Sequence, residues 1–251
     1  MAKQSFAEKL AERSFYSEHI QRDWNAHMQA FGPILEPAFS DSYQAKIHLT
    51  AALSALSNHR FKSAQNKLKT LQPYCKTNAD HAAWMFCMGI SCELQGDTEG
   101  MVYYYSKAGK FGHRFYLVEM KLAKAAHNGG RFEDALGHYH RALELFDETM
   151  VQGERQSEII RASVYTNLAS CLTMLFRYEE AEDMLRISRE ISPQQTGRAV
   201  TEAILYAAMG DLEKTQDSLV ALEEQMPELV DAVTQTVDDI FAGTHEHFKK
   251  R

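Results

Sequence analysis

The sequence predicts an all-α chain of repeated antiparallel helix pairs, and three observations carry that expectation. Apolar residues recur at three- and four-residue spacing over most of the 251 residues, the period of a helix face. Alternating apolar runs bounded by turn pairs, the mark of strands, are nearly absent. The stretch "RFEDALGHYHRALELFD" (131–147) is echoed by "RYEEAEDMLRISREISP" (177–193). An echo of that kind belongs to units too small to bury an apolar face alone, which stack on neighbours of their own type.

The elements follow in order. Over 1–40, Phe6, Leu10, Ile20, Trp24, Met28 and Phe31 predict one or two helices before "FGPILEPAF", a Gly/Pro connector; residues 1–44 read as an N-terminal cap. Residues 45–78 form the first pair, keeping Ala51, Ala52, Phe61, Ala64, Leu68 and Leu71 of the pattern. Residues 82–115 and 116–149 form the next two, starting 34 residues apart. Twelve further residues, "MVQGERQSEIIR", then extend the neighbouring helices, with Gly153 marking the break. In 162–195, Tyr165, Leu168, Ala169, Leu172 and Leu175 mark one helix face, and Tyr178, Ala181, Met184 and Leu185 mark the next. Between them "LFRY" leaves room only for a tight reversal, so the two helices run antiparallel. Pro193 ends the second helix, because proline lacks the N–H and restricts the residue before it. Residues 196–229 repeat the phase, and 230–251 supply a last helix, entered at Pro227 and closed by Gly243, with a polar tail.

This grammar resembles the tetratricopeptide repeat, a helix-turn-helix unit of about 34 residues. That motif asks for a Leu-small pair and a large residue in the first helix, then Gly in the turn. An aromatic, a small contact residue and a late Pro follow. Residues 162–195 match it at Tyr165, Leu168-Ala169, Leu172, Tyr178, Ala181, Leu185 and Pro193, with Phe176 standing where the turn Gly belongs. Residues 116–149 match at Leu122-Ala123, Gly130, Phe132, Ala135, Tyr139 and Ala142. Residues 82–115 match at Met85, Met88-Gly89, Gly96, Tyr105 and Ala108, with Met101 in place of the small residue. Residues 196–229 match at Gly210, Leu212, Leu219 and Pro227, with Glu202 in place of Leu; 45–78 match most weakly.

The resemblance implies a right-handed superhelical solenoid of five antiparallel pairs, 45–229, between N- and C-terminal capping helices. It also implies a non-catalytic scaffold or adaptor whose partner, another protein or an extended peptide, lies in a concave groove lined by the first helices. On that face the second unit places Phe86, Ile90 and Glu93. The third places Met120, Lys121, Lys124, His127 and Asn128, and the fourth Thr166, Asn167, Ser170 and Thr173. Such cations and amides suit a peptide: Asn offers both donor and acceptor to its backbone, and Lys draws a carboxylate. Lys121, Lys124 and Asn167 echo the family's chaperone-tail clamp in part, but the fourth and fifth units lack its further basic pair. The long insert resembles kinesin light chains and bacterial peptide-sensing regulators. The second reading is therefore a peptide- or ligand-sensing regulator without its own DNA-binding domain, since residues 1–40 hold no small basic reader helix.

Other chemistry finds little footing. The chain has no GxSxG, Walker loop, HExxH or GxGxxG, so no enzyme, cofactor or metal site is expected. His138 and His140 lie two apart on a helix and diverge. His245 and His247, near Asp238 and Asp239, read as a polar tail rather than a metal site. Cys75, Cys87, Cys92 and Cys171 lack ligand spacing and read as small hydrophobes of a reducing cytosol. "YYYSKAGKFGHRFY" (103–116) interleaves rings with Lys107, Lys110, His113 and Arg114, the mix that grips single-stranded nucleic acid. The repeat phase turns Tyr105 inward, however, and a net charge of −7 argues against RNA as the main partner.

Charge is unevenly spread. Residues 45–125 hold 11 basic against 5 acidic residues, and 149–251 hold 10 against 18. Opposite ends of this kind steer a partner, or a second copy in a homo-oligomer. No apolar stretch reaches the roughly 20 residues of a membrane span. The first residues, "MAKQSFAEKLAERSF", carry charge throughout, so the expected compartment is the cytoplasm.

Overall fold

The computed structural model describes residues 35, 38–111, 116–149, 155–193, 195 and 197–248, with the backbone alone at 117, 147–149 and 155–157. The chain divides into two compact units, Met1–Val118 and Glu119–Arg251. All regular elements among the described residues are helices. The helices expected around Phe6 to Phe31, and the break expected at Gly153, fall outside the described residues.

The first unit holds α1 (Tyr43–Ser57), α2 (Phe61–Leu71), α3 (Asn78–Glu93) and α4 (Thr98–Gly109), with α1 packed on α2 and α3 on α4. Helix α3 is buried on more than one face, with Ala82, Ala83, Phe86, Cys87 and Ile90 all fully enclosed. A helix apolar around most of its girth belongs at a centre. Its start is fixed by a capping box: Thr77 Oγ1 accepts from the Asp80 N–H, and the Asp80 carboxylate accepts from the Thr77 N–H. Asp80 also accepts from the N–H groups of Lys76 and Phe39, the latter at 2.7 Å, so one buried side chain pins two separate segments. Trp84 Nε1 donates to the Leu68 carbonyl at 2.7 Å and ties α3 to α2.

The second unit, from Glu119 on, holds α5 (Tyr116–Asn128), α6 (Phe132–Thr149), α7 (Arg155–Met174) and α8 (Tyr178–Ile191). It continues with α9 (Arg198–Met209), α10 (Leu212–Gln225) and α11 (Val230–Phe241). One core joins α5 to α8 through Ala123, Ala126, Ala135, Tyr139, Leu168, Ala169, Ala181 and Leu185. Small residues there let the helix backbones approach. A second core gathers Ala199, Ala203, Ala207, Leu222, Val233, Val237 and Ile240. Residues 155–161 of the insert continue α7 backward, and α8 stops at Ile191, two residues short of Pro193. Glu202, where the repeat wants Leu, is buried and matched by cations, Arg189 at 2.6 Å and Arg198 at 3.4 Å. A buried carboxylate without such partners would be costly.

Among the described residues, five turns between paired helices share one construction. Each passes through a residue in the left-handed region: His59, Gly96, Gly130, Phe176 and Gly210, with φ between 55° and 80°. The N–H of the next residue then reaches back to a carbonyl five residues earlier. These bonds run Arg60 to Ala55, Asp97 to Cys92, Arg131 to Ala126, Arg177 to Leu172, and Asp211 to Tyr206, at 2.8–2.9 Å. The bond satisfies a carbonyl that the ending helix cannot. Glycine takes this conformation freely, whereas a side chain strains in it.

Candidate functional site

Helices α5 and α7 carry most of the polar residues expected to meet a partner. Lys121, Lys124 and Asn128 stand at i, i+3 and i+7, one stripe of α5. Lys124 and Asn128 are exposed, while Lys121 is half-buried. His127, also half-buried, places Nε2 3.5 Å from Ser170 Oγ on α7 and sets its ring edge-on to Phe132 at 5.4 Å. Burial pushes the His127 imidazole below its usual range, so the ring is neutral at pH 7. Asn167, one turn before Ser170 on α7, is half-buried.

Other expected positions are placed differently. Phe86 and Ile90, in the first unit, have no exposed surface. They are core residues of α3 and offer a partner nothing. Thr166 and Thr173 also turn inward. Thr173 donates to the Ala169 carbonyl, and Thr166 joins Ser188 and Gln195 in a buried network at 2.9 and 3.0 Å. The hydroxyl-rich end of the face therefore reduces to Ser170.

His138 meets a carboxylate: its Nδ1 is 2.7 Å from Glu119 Oε2, and Arg141 Nε donates to the same oxygen at 3.2 Å. Burial pushes the Glu119 carboxyl up, but these hydrogen bonds outweigh it and hold the group below its ordinary value. Among the described residues no three His, Cys, Asp or Glu side chains cluster as metal ligands. No helix among them is long and apolar enough to cross a membrane. In the first unit, Tyr105 is enclosed and Tyr104 packs edge-on to Trp84. Tyr103 alone of the three faces water, 55% exposed, with Lys107 over its ring at 5.5 Å. His113 and Arg114 of this stretch lie outside the described residues.

No family model and no curated protein matches the sequence. A solved structure does match: the crystal structure of YrrB, a TPR protein with an unusual peptide-binding site. It superposes with a TM-score of 0.59 over 75% of this chain and 90% of that one, at 15% identity. The chain has a tetratricopeptide-repeat-like fold.

Within that TPR-like arrangement the least expected feature is the C-terminal segment. The polar tail expected there is, through residue 248, folded back onto the repeats of the second unit. Phe248 is only 8% exposed and joins the α9–α11 core. The His247 imidazole lies parallel to the Phe176 ring, 8° between planes and 5.2 Å between centroids. It also sits edge-on to Phe132 at 5.6 Å, and its Nε2 bonds the Met174 carbonyl at the end of α7. Phe132 thus touches both His127 and His247. The one sequence signal of this site is Phe176 itself, a bulky ring where the repeat wants glycine.

Proposed function

We propose that the chain is a non-catalytic scaffold that binds a peptide or protein segment along the first helices of its TPR-like pairs. The contact surface in the second unit is made by Lys121, Lys124, His127, Asn128, Asn167 and Ser170. The His127–Ser170 contact supports this reading, because it joins α5, which carries the cation and amide stripe, to α7, which carries Asn167 and Ser170. An extended backbone needs donors and acceptors in alternation, which Asn128 and Asn167 can both supply. The lysines favour an acidic segment and would speed its approach. Neutral His127 adds a hydrogen-bonding group without adding charge. The description of YrrB as a TPR protein with a peptide-binding site supports the same class of partner. Free thiols at Cys75, Cys87, Cys92 and Cys171 fit a reducing compartment such as the cytoplasm.

The test compares wild type with the Lys121→Ala/Lys124→Ala/Asn167→Ala variant as immobilised bait in native lysate. A protein held by wild type and released by the variant, at equal melting temperature and helicity, is the expected result. Equal capture by both would remove the stripe from the binding surface.

A further inference from the structure

We infer that Phe132, Phe176 and the Met174 carbonyl form a recognition notch held in cis by the chain's own Thr244–Phe248. From a partner the notch would accept a peptide that presents a hydrogen-bond donor next to an aromatic ring. This rests on the peptide-binding reading above and names a second subsite for it.

Three observations support the assignment. The tail makes ligand-like contacts: a parallel stack of His247 on Phe176, an edge contact to Phe132, and a hydrogen bond to Met174. Phe248 adds an edge contact to Phe176 at 5.8 Å. The Met174 carbonyl is the last of α7: the N–H groups of the turn take the carbonyls of Cys171, Leu172 and Thr173, and Met174 is left to pair with His247.

The second observation is Phe176. It holds φ at 62° in a turn where three of the other four pairs use glycine, and it remains 50% exposed with the tail in place. A strained, exposed ring contributes little to the core. Its ring is instead spent on the tail, and strain kept at such a position points to a contact surface.

The third is continuity. Phe132 bridges His247 of the tail and His127 of the stripe, so a segment lying along α5 and α7 runs directly into the seated tail. The tail is tethered just beyond Gly243, which ends α11 with φ at 70°. A short tether of this kind gives an effective concentration in the millimolar range. A free peptide with a dissociation constant of about 100 μM for the open notch is then weakened about tenfold or more by the tail.

The experiment uses a fluorescein-labelled peptide of sequence THEHFKKR, read by anisotropy against full-length protein and a chain ending at Gly243. The peptide is expected to bind the shortened chain at least about tenfold more tightly than the full chain, and to lose that binding on Phe176→Ala. Because Phe248 packs in the α9–α11 core, the shortened chain needs its own melting curve. Full-length His247→Ala, which keeps Phe248, is the second route and should also gain peptide affinity over wild type. A shortened chain that melts like wild type yet ignores the peptide would overturn the notch. If the shortened chain unfolds, absence of any gain in His247→Ala does the same. A wild-type dimer that the shortened chain cannot form would place the tail in a second copy and overturn occupancy in cis. The Lys121/Lys124/Asn167 triple variant, shortened likewise, should keep the peptide, so failure of the stripe and failure of the notch read out separately.

Discussion

A Cβ placed on Gly89 would lie 2.3 Å from Cε1 and 2.4 Å from Cδ1 of Tyr105. The ring of α4 rests against the bare backbone of α3, and this contact sets how closely the pair approaches. Tyr105 cannot yield easily: it is fully buried and its hydroxyl donates to Glu93 Oε2 at 2.9 Å. Two effects oppose each other in Gly89→Ala. Helix propensity favours alanine by about 1 kcal/mol, whereas overpacking a core costs about 1–3 kcal/mol. With a pinned aromatic as the obstacle, overpacking wins. The variant should melt several degrees below wild type, and a melting temperature at or above wild type would show that the pair can part without loss.

Asp80 makes stability depend on acid. Burial pushes its carboxyl up, but hydrogen bonds from the N–H groups of Phe39, Thr77 and Lys76, with the Thr77 side chain, outweigh that and hold it below the ordinary value. Below about pH 4, where an unfolded aspartate takes up its proton, the unfolded chain binds more protons than the folded one. The contribution is therefore present above that pH and is lost as pH falls through the lowered folded value. Asp80→Asn keeps one oxygen but turns an NH2 toward backbone donors. It should cost about 1–3 kcal/mol at pH 7, with the gap to wild type narrowing toward pH 3 in urea titrations. A gap of constant size across that range would remove the carboxylate's charge from the account.

How much of this was legible in the sequence differs by residue. Gly96, Gly130 and Gly210 showed the turns because only a left-handed residue closes them, and that demand is local. Tyr105 was placed inside by phase alone, and it is buried. The binding face was less legible. Phe86 and Ile90 lie at positions that the repeat turns toward a groove, but burial was decided by packing that no helical period encodes. Thr166 and Thr173 resembled surface hydroxyls, yet threonine can bond a carbonyl of its own helix four residues back and so lie in a core. The tail was least legible: His247 meets Met174, a contact 73 residues apart in sequence, and "THEHFKKR" has no periodicity to announce it.

Phe176 and His247 should be energetically coupled. Replacing Phe176 by glycine relieves a left-handed side chain, worth about 1–3 kcal/mol, but removes the ring on which His247 stacks. With the tail seated, the two effects oppose, and Phe176→Gly should change stability little. In a His247→Ala background the stack is gone and only the edge contacts of Phe176 to Phe248 and Tyr178 still oppose the relief, so the same substitution should be more stabilising there, by about 1 kcal/mol. The difference between the two backgrounds is the coupling, expected at about 0.5–1.5 kcal/mol for a well-stacked ring pair. Urea unfolding of the four proteins measures it directly. Strict additivity would mean that the parallel geometry of the two rings carries no energy. The notch would then lose its claim to recognise the ring beside the donor.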